Sequence, residues 1–270
     1  MLLIKEDDGI IQYMRVLFLD EEEEKEWLLS LKEVEGIIGY TFNNKKWLRE
    51  AFIHYTFYYP EEPRECNQRL EYIGDSVLNF VIDTELFTSY PDSPPGVLTR
   101  LKSANVDNEK LARVAAKCGL HRFLRHQLLG LDDWIQNFSN EILKYPVHSN
   151  GLIDTPKILA NTMEAVIGAV FRDSTSVDTV WKVFKRLLEP IISPQTLQVH
   201  PTTELHEFCQ KNRIIIRFVE GSNDEKNSTY HVLLGNNNEV IGTATGACKK
   251  EIVKNRAAKA ALDHLKSTIS

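Results

Sequence analysis

The sequence is short of several things. Four cysteines occur in 270 residues, at positions 66, 118, 209 and 248, too sparse for a disulfide scaffold and without metal-ligand spacing. That excludes a small secreted framework and points to a reducing compartment, the nucleus and/or the cytoplasm. No apolar run nears the roughly 18 residues of a membrane span, so no transmembrane segment and no membrane partner are expected. Residues 1–8 carry one lysine ahead of three acids, without the basic and apolar regions of a secretory leader. No dense basic targeting run, internal repeat or low-complexity tract is present beyond the acidic run Asp20–Glu24. Nothing in the chain asks for a small-molecule organic cofactor.

The amounts that are present are ordinary: 43% hydrophobic and 26% charged residues, enough for a sizeable core in one large domain or two modest ones. A net charge of −6 and a pI of 5.8 argue against nucleic-acid binding only until the charge is resolved along the chain. Residues 1–35 hold four Lys+Arg against eleven Asp+Glu, whereas residues 202–270 hold ten against eight. Between Gly246 and Lys266 six basic residues face two acidic ones.

Composition and periodicity divide the chain into four parts. Residues 1–35 form an acidic N-terminal extension, read as a solvated helix start or a flexible arm without chemistry. Residues 36–190 repeat apolar side chains at three and four positions, which predicts an all-α domain with helices over 68–90, 97–103, 107–118, 156–172 and 176–190. Residues 191–201, with Pro194 and Pro201, read as a stiff linker. Residues 202–268 change pattern: a helix at 204–211, strands at 214–219, 230–234 and 240–245, a turn at Asn236–Asn238, and an alanine-rich helix at 249–265. That is an α+β module in the order α-β-β-β-α.

Two helices carry acids where apolar residues belong. Glu71 and Asp75 are four apart and share one helix face, on a segment otherwise apolar over Leu70, Ile73, Val77, Leu78, Phe80, Val81 and Ile82. Glu164 lies in the apolar run Ile158–Val170, with Asn161 one turn before it. Acids in such surroundings are costly unless paired or coordinating a cation. They either pair with a basic neighbour such as Arg69, Arg113 or Arg172, or hold a hard cation such as Mg²⁺ for phosphodiester hydrolysis. Gly74 and Gly168 would let the two helices approach closely.

The stretch Arg69-Leu70-Glu71-Tyr72-Ile73-Gly74-Asp75-Ser76-Val77-Leu78 resembles the signature of the ribonuclease III family of double-stranded RNA endonucleases. Ile38–Asn44, Ala51–His54, Leu98–Lys102 and Pro156–Ala160 resemble further blocks of the same family, in order. The arrangement of one nuclease domain and one RNA-binding domain is similar to short bacterial-type members and to plant RNase three-like proteins. The resemblance implies a metal-dependent homodimer with two acidic centres, each cutting one strand of double-stranded RNA and leaving short 3′ overhangs. Mg²⁺ is the implied cation, with Mn²⁺ a plausible substitute. By position, Glu71, Asp75 and Glu164 are the implied catalytic and metal-holding acids. Asn161 stands where the family has an aspartate; its carbonyl is a legitimate hard ligand, but it supplies no charge. Gln68 and Pro95 depart more mildly. Asn161 keeps a rival reading open: a cleavage-deficient binder of double-stranded RNA that sequesters it or pairs with an active nuclease.

The C-terminal module resembles the double-stranded RNA-binding domain, best over Lys249–Lys259. The resemblance implies phosphate contacts from Lys249, Lys250 and Lys254, with His206 and Gln210 facing minor-groove hydroxyls. The loop Gly221–Ser228 lacks the family's Gly-Pro-x-His pattern; Lys226 stands nearest its histidine. Cys248, just before Lys249 at a helix start, is expected to have a lowered thiol pKa, so that capping by glutathione there would weaken RNA binding.

Overall fold

A computed structural model describes residues 21–58, 65–221, 227–235 and 238–269. Among them the chain divides into two compact units. One runs to Gln136 and resumes over Pro156–Pro194; the other takes Asn137–Thr155 and the chain from Gln195 onward.

The first unit is helical throughout. Its helices are α1 (Glu21–Ile38), α2 (Lys45–Ala51), α3 (Gln68–Ser89), α4 (Pro95–Val106) and α5 (Asn108–Lys117), followed by the start of α6 (Leu131–Glu141) and then α7 (Lys157–Ser174) and α8 (Val177–Leu188). Helix α1 fits the helix-start alternative for the acidic run, and adds that the helix continues past residue 35 and packs within the first unit. Its acidic run lies at the helix N-terminus, where the dipole favours negative charge. Leu31, Val34 and Ile38 are then buried at helical spacing, and the indole of Trp27 donates to the Phe123 carbonyl at 2.8 Å. Glu24 pairs with both Arg49 and Arg125. Gly39, at φ +72°, closes the helix by donating to the Glu35 carbonyl at 2.8 Å.

Helix α7 is the centre of this unit. Ile158, Leu159, Ala160, Met163 and the run Ala165–Val170 are all buried. Helix α3 crosses it where neither helix has a side chain. A Cβ built on Gly74 would lie 1.8 Å from the Glu164 carbonyl oxygen, and one on Gly168 would lie 2.1 Å from that of Leu70. The expected close approach is therefore present, and only glycine permits it at either position. Local capping fixes the neighbours: Asp107 accepts from the Lys110 amide at 2.8 Å to start α5, and Ser176 accepts from the Thr179 amide at 3.1 Å to start α8.

In the second unit, α9 (Pro201–Asn212) and α10 (Lys250–Ile269) pack on one antiparallel sheet of order β1-β2-β3, formed by β1 (Ile216–Glu220), β2 (Ser228–Leu234) and β3 (Glu239–Gly246). Leu205, Cys209, Val232, Ile241, Ala257, Ala258, Ala261, Leu262 and Leu265 form its core. Val232 pairs with Gly242 and Leu233 with Val240, so Ile241 is an extra residue in β3 and turns inward. A Cβ on Gly242 would meet the Ala257 carbonyl at 2.5 Å, which explains the alanine-rich face of α10: small residues let helix and strand touch. The α-β-β-β-α order is as expected. The turn Asn236–Asn238 falls partly outside the described residues, and Lys226 lies wholly outside them.

Segment 137–155 packs within this second unit, where the sequence boundaries had assigned it to the nuclease domain. The Asn255 and Arg256 side chains of α10 donate to the carbonyls of Gly151 and Leu152 at 3.2 and 2.8 Å. Gly151, at φ +81°, sits so close to Asn255 and His200 that a Cβ would meet both below 3 Å.

Candidate active site and RNA-binding face

The α3/α7 crossing creates a recess of about 560 Å³. It is lined by His54, Tyr55, Asn67, Gln68, Glu71, Tyr72, Asp75, Asn108, Lys157, Asn161 and Glu164. All four residues expected at the acidic centre are in it. Glu71 and Asp75 come from α3, Asn161 and Glu164 from α7. Each pair is separated by about one helical turn and projects to the same side. The glycine contact brings the two pairs together.

The electrostatics are those of crowded carboxylates. Burial pushes Glu164 up to about 7, with Asp75 and Glu71 adding to the effect and Lys157 opposing it. Glu71 is also raised by burial, opposed by Lys157 and reinforced by Asp75. Asp75 is solvent-exposed and accepts from the Asn79 side-chain amide at 2.8 Å. Among the described residues none of these three carboxylates makes an ion pair. Two of the three basic neighbours that offered the alternative are engaged elsewhere: Arg113 bonds Glu109 at 2.7 Å in a buried pair, and Arg172 lies over the Trp47 ring at 5.3 Å. His54, buried and pushed down to about 4 by burial and His126, is neutral near pH 7.

Among the described residues, no group of three His, Cys, Asp or Glu side chains is close enough as placed to hold a metal ion. The donor set nevertheless suits a hard cation. It consists of carboxylate oxygens plus the Asn161 carbonyl oxygen, which is buried with no hydrogen-bond partner. A cation here would offset the burial cost and the repulsion that together raise Glu164. The electrostatic partner of this set, Lys157, and the recess residues Asn108, Asn67 and His54 did not emerge from the sequence. Lys157 had a signal, as the one cation in the run Pro156–Gly168, but Asn108 had none.

The side chains expected to meet RNA share the second unit. His206 and Gln210 are both exposed on α9. The His206 ring centroid lies 5.7 Å from that of Phe218, and the Lys254 ammonium sits 4.8 Å over the same ring from the other helix. Phe218 thus links the expected groove-facing helix to the lysine motif, a role its strand pattern alone does not reveal. Lys250 pairs with Glu220 at 2.5 Å and Lys249 with Asp154 at 3.6 Å, both at exposed positions where phosphate can compete. Cys248 corrects an expectation. It does precede α10, but burial pushes its thiol up, only partly offset by Arg256. The thiolate chemistry anticipated from the helix start is therefore disfavoured. On α3, Phe80, one of the apolar residues of that segment, is 60% exposed and continues a stripe with Tyr72 and Phe87.

Comparison with known proteins finds a nuclease family and an RNA-binding family in succession, the nuclease match running through segment 137–155. The family described as Ribonuclease III domain matches residues 68–175, and the Double-stranded RNA binding motif matches residues 201–265. Ribonuclease 3-like protein 3 of Oryza sativa subsp. japonica is 51% identical over 237 residues, which are 87% of this chain and 78% of the rice protein. Endoribonuclease Dicer homolog 1 of the same organism is 44% identical over 192 residues, 68% of this chain but 10% of that protein. Among solved structures, the nuclease domain of Ribonuclase III from Campylobacter jejuni covers 60% of this chain and 97% of its own, with TM-score 0.48 and 24% identity. Among the described residues no helix is long and apolar enough to cross a membrane. With a nuclease family and an RNA-binding family matched in succession, and half of the aligned residues shared along most of a ribonuclease 3-like protein, the chain belongs to the ribonuclease III family.

Proposed function

We propose that this ribonuclease acts as a homodimer, cleaving double-stranded RNA by divalent-metal-assisted hydrolysis and leaving short 3′ overhangs. The observation that carries the reading is the recess in which Glu71, Asp75 and Glu164 meet the unpartnered oxygen of Asn161. Glu71, Asn161 and Glu164 would hold the cation, Mg²⁺ or Mn²⁺ in its place, and Asp75, oriented by Asn79, would align the attacking water. When bound, the cation lowers the pKa of water and stabilises the leaving oxygen. Lys157 acts on the same carboxylates: by favouring their ionised forms it keeps them ready to bind, and its ammonium suits a phosphate oxygen. In the second unit Lys249, Lys250 and Lys254 would take phosphates, while His206 and Gln210 reach 2′-hydroxyls. The exposed Tyr72–Phe80–Phe87 stripe on α3 supports a second copy as the partner of the nuclease unit.

Asn161 favours a second reading, a chain that binds double-stranded RNA without cutting it, because an amide lowers the charge available to the cation. Cleavage of end-labelled double-stranded RNA with Mg²⁺ separates the two. Cutting by the wild-type chain that Glu164→Ala abolishes is the expected result. Binding without cutting, with cutting restored by Asn161→Asp, would establish the binding reading instead.

A further inference from the structure

Asn67 stands at the head of α3, one turn before Glu71, and its side chain is spent on nothing. The residue is 1% exposed, and neither its amide nitrogen nor its carbonyl oxygen has a hydrogen-bond partner among the described residues. Its backbone, by contrast, is fully used. The N–H donates to the Ile53 carbonyl and the carbonyl accepts from the Glu71 N–H, both at 2.8 Å. Asn67 occupies the cap position of the helix, yet its backbone is already helical (φ −67°, ψ −15°) and its side chain makes no capping bond. The ordinary reason for asparagine at a helix start therefore does not apply. An apolar side chain of similar size would avoid the cost of burying an unpaired amide.

The location supplies a reason. Asn67 lines the same recess as Glu71, Glu164 and Asn161, whose carbonyl oxygen is likewise unpartnered. The recess is roomy and polar, which are the two conditions for an ordered water at buried polar groups. An ionised carboxylate only accepts hydrogen bonds. A water between them and Asn67 donates one hydrogen to a carboxylate and the other to the amide oxygen, and the amide nitrogen remains to donate to a second oxygen. A small hard cation keeps several of its waters, and groups that hold those waters tune its binding.

We infer that Asn67 is a positioning residue that holds an ordered water in the recess and through it orients the Glu71 carboxylate and the cation's hydration shell. This rests on the metal-binding reading of the recess and adds to it a residue outside the ligand set.

The test measures Mn²⁺ affinity of the full chain without RNA, by the electron paramagnetic resonance signal of free Mn²⁺, beside thermal unfolding in chelator. Asn67→Leu should weaken Mn²⁺ binding by about 10–100-fold, as loss of an outer-shell partner does, while leaving the unfolding temperature in chelator equal to or above that of the wild type. Asn67→Ser, which leaves room for one more water, should fall between the two. If Asn67→Leu does not fold, a folded Asn67→Ser must still bind Mn²⁺ more weakly than the wild type. Wild-type Mn²⁺ affinity in folded Asn67 variants, whatever their stability, overturns the inference and leaves Asn67 a structural residue. Glu164→Ala is the control. If it loses Mn²⁺ while the Asn67 variants do not, only this inference falls; if it too binds Mn²⁺ normally, the metal reading of the recess falls with it.

Discussion

At the scale of the residue, Glu164 shows how a surrounding changes a side chain. Its carboxyl is pushed up to about 7 by burial and by the acids beside it. A folded pKa above the unfolded one means that the folded chain binds the extra proton between roughly pH 4.3 and 7. The resulting stability is full at the acid end and is lost as pH rises across that window. Urea unfolding in chelator should therefore show Glu164→Gln gaining on the wild type from pH 5 to pH 8; parallel pH trends in the two chains would mean that the carboxyl is not strained. Glu71, Asp75 and Glu164 were legible in the sequence because each breaks an apolar helix. Asn67 and Asn108 were not, because an asparagine near a helix start is commonplace and only the folded recess shows that one of them is unpaired.

At the scale of the element, the crossing of α3 and α7 decides whether there is a site at all. Gly74 and Gly168 each face a backbone carbonyl across the contact, and backbone cannot turn aside as a side chain can. Gly74→Ala should cost about 1–3 kcal/mol or more through overpacking. It should also reduce cleavage beyond what the stability loss explains, since the separation of the helices sets the spacing of the acids. Normal cleavage in a destabilised Gly74→Ala chain would show that the spacing tolerates the shift. The same elements show where sequence reading stops. Helices α3, α5, α7 and α8 were visible in apolar spacing, with ends displaced by a residue or two. Helix α1 was hidden behind its acidic run although Leu31, Val34 and Ile38 carry the period. Helix α6 was passed over although Leu131, Ile135, Phe138 and Ile142 repeat at helical spacing. In both, polar residues dominate the composition and only the spacing betrays the buried side.

At the scale of the whole molecule, the proposed function assigns a partner to each of two surfaces. The stripe of Tyr72, Phe80 and Phe87 on α3 should be covered by a second copy, so Phe80→Asp should convert a dimer to a monomer in sedimentation equilibrium; an unchanged mass would place the interface elsewhere. On the RNA-binding unit, Lys250→Ala and Lys254→Ala should each lower the slope of log affinity against log salt by about 1. His206→Ala should weaken binding with the slope unchanged, because a hydroxyl contact releases no counterion. The division of the chain carries a further consequence. Segment 137–155 packs with the second unit but lies between two parts of the first, so the chain passes from one unit to the other three times. A module joined by one linker can be excised or exchanged at that linker. Here a cut after Pro194 would strand the carbonyls of Gly151 and Leu152 and the carboxylates of Glu141 and Asp154 without their partners on α10 and at Lys249 just before it. The second unit is thus discontinuous along the chain, and a transplant that keeps these contacts must carry a piece of sequence that the first unit encloses.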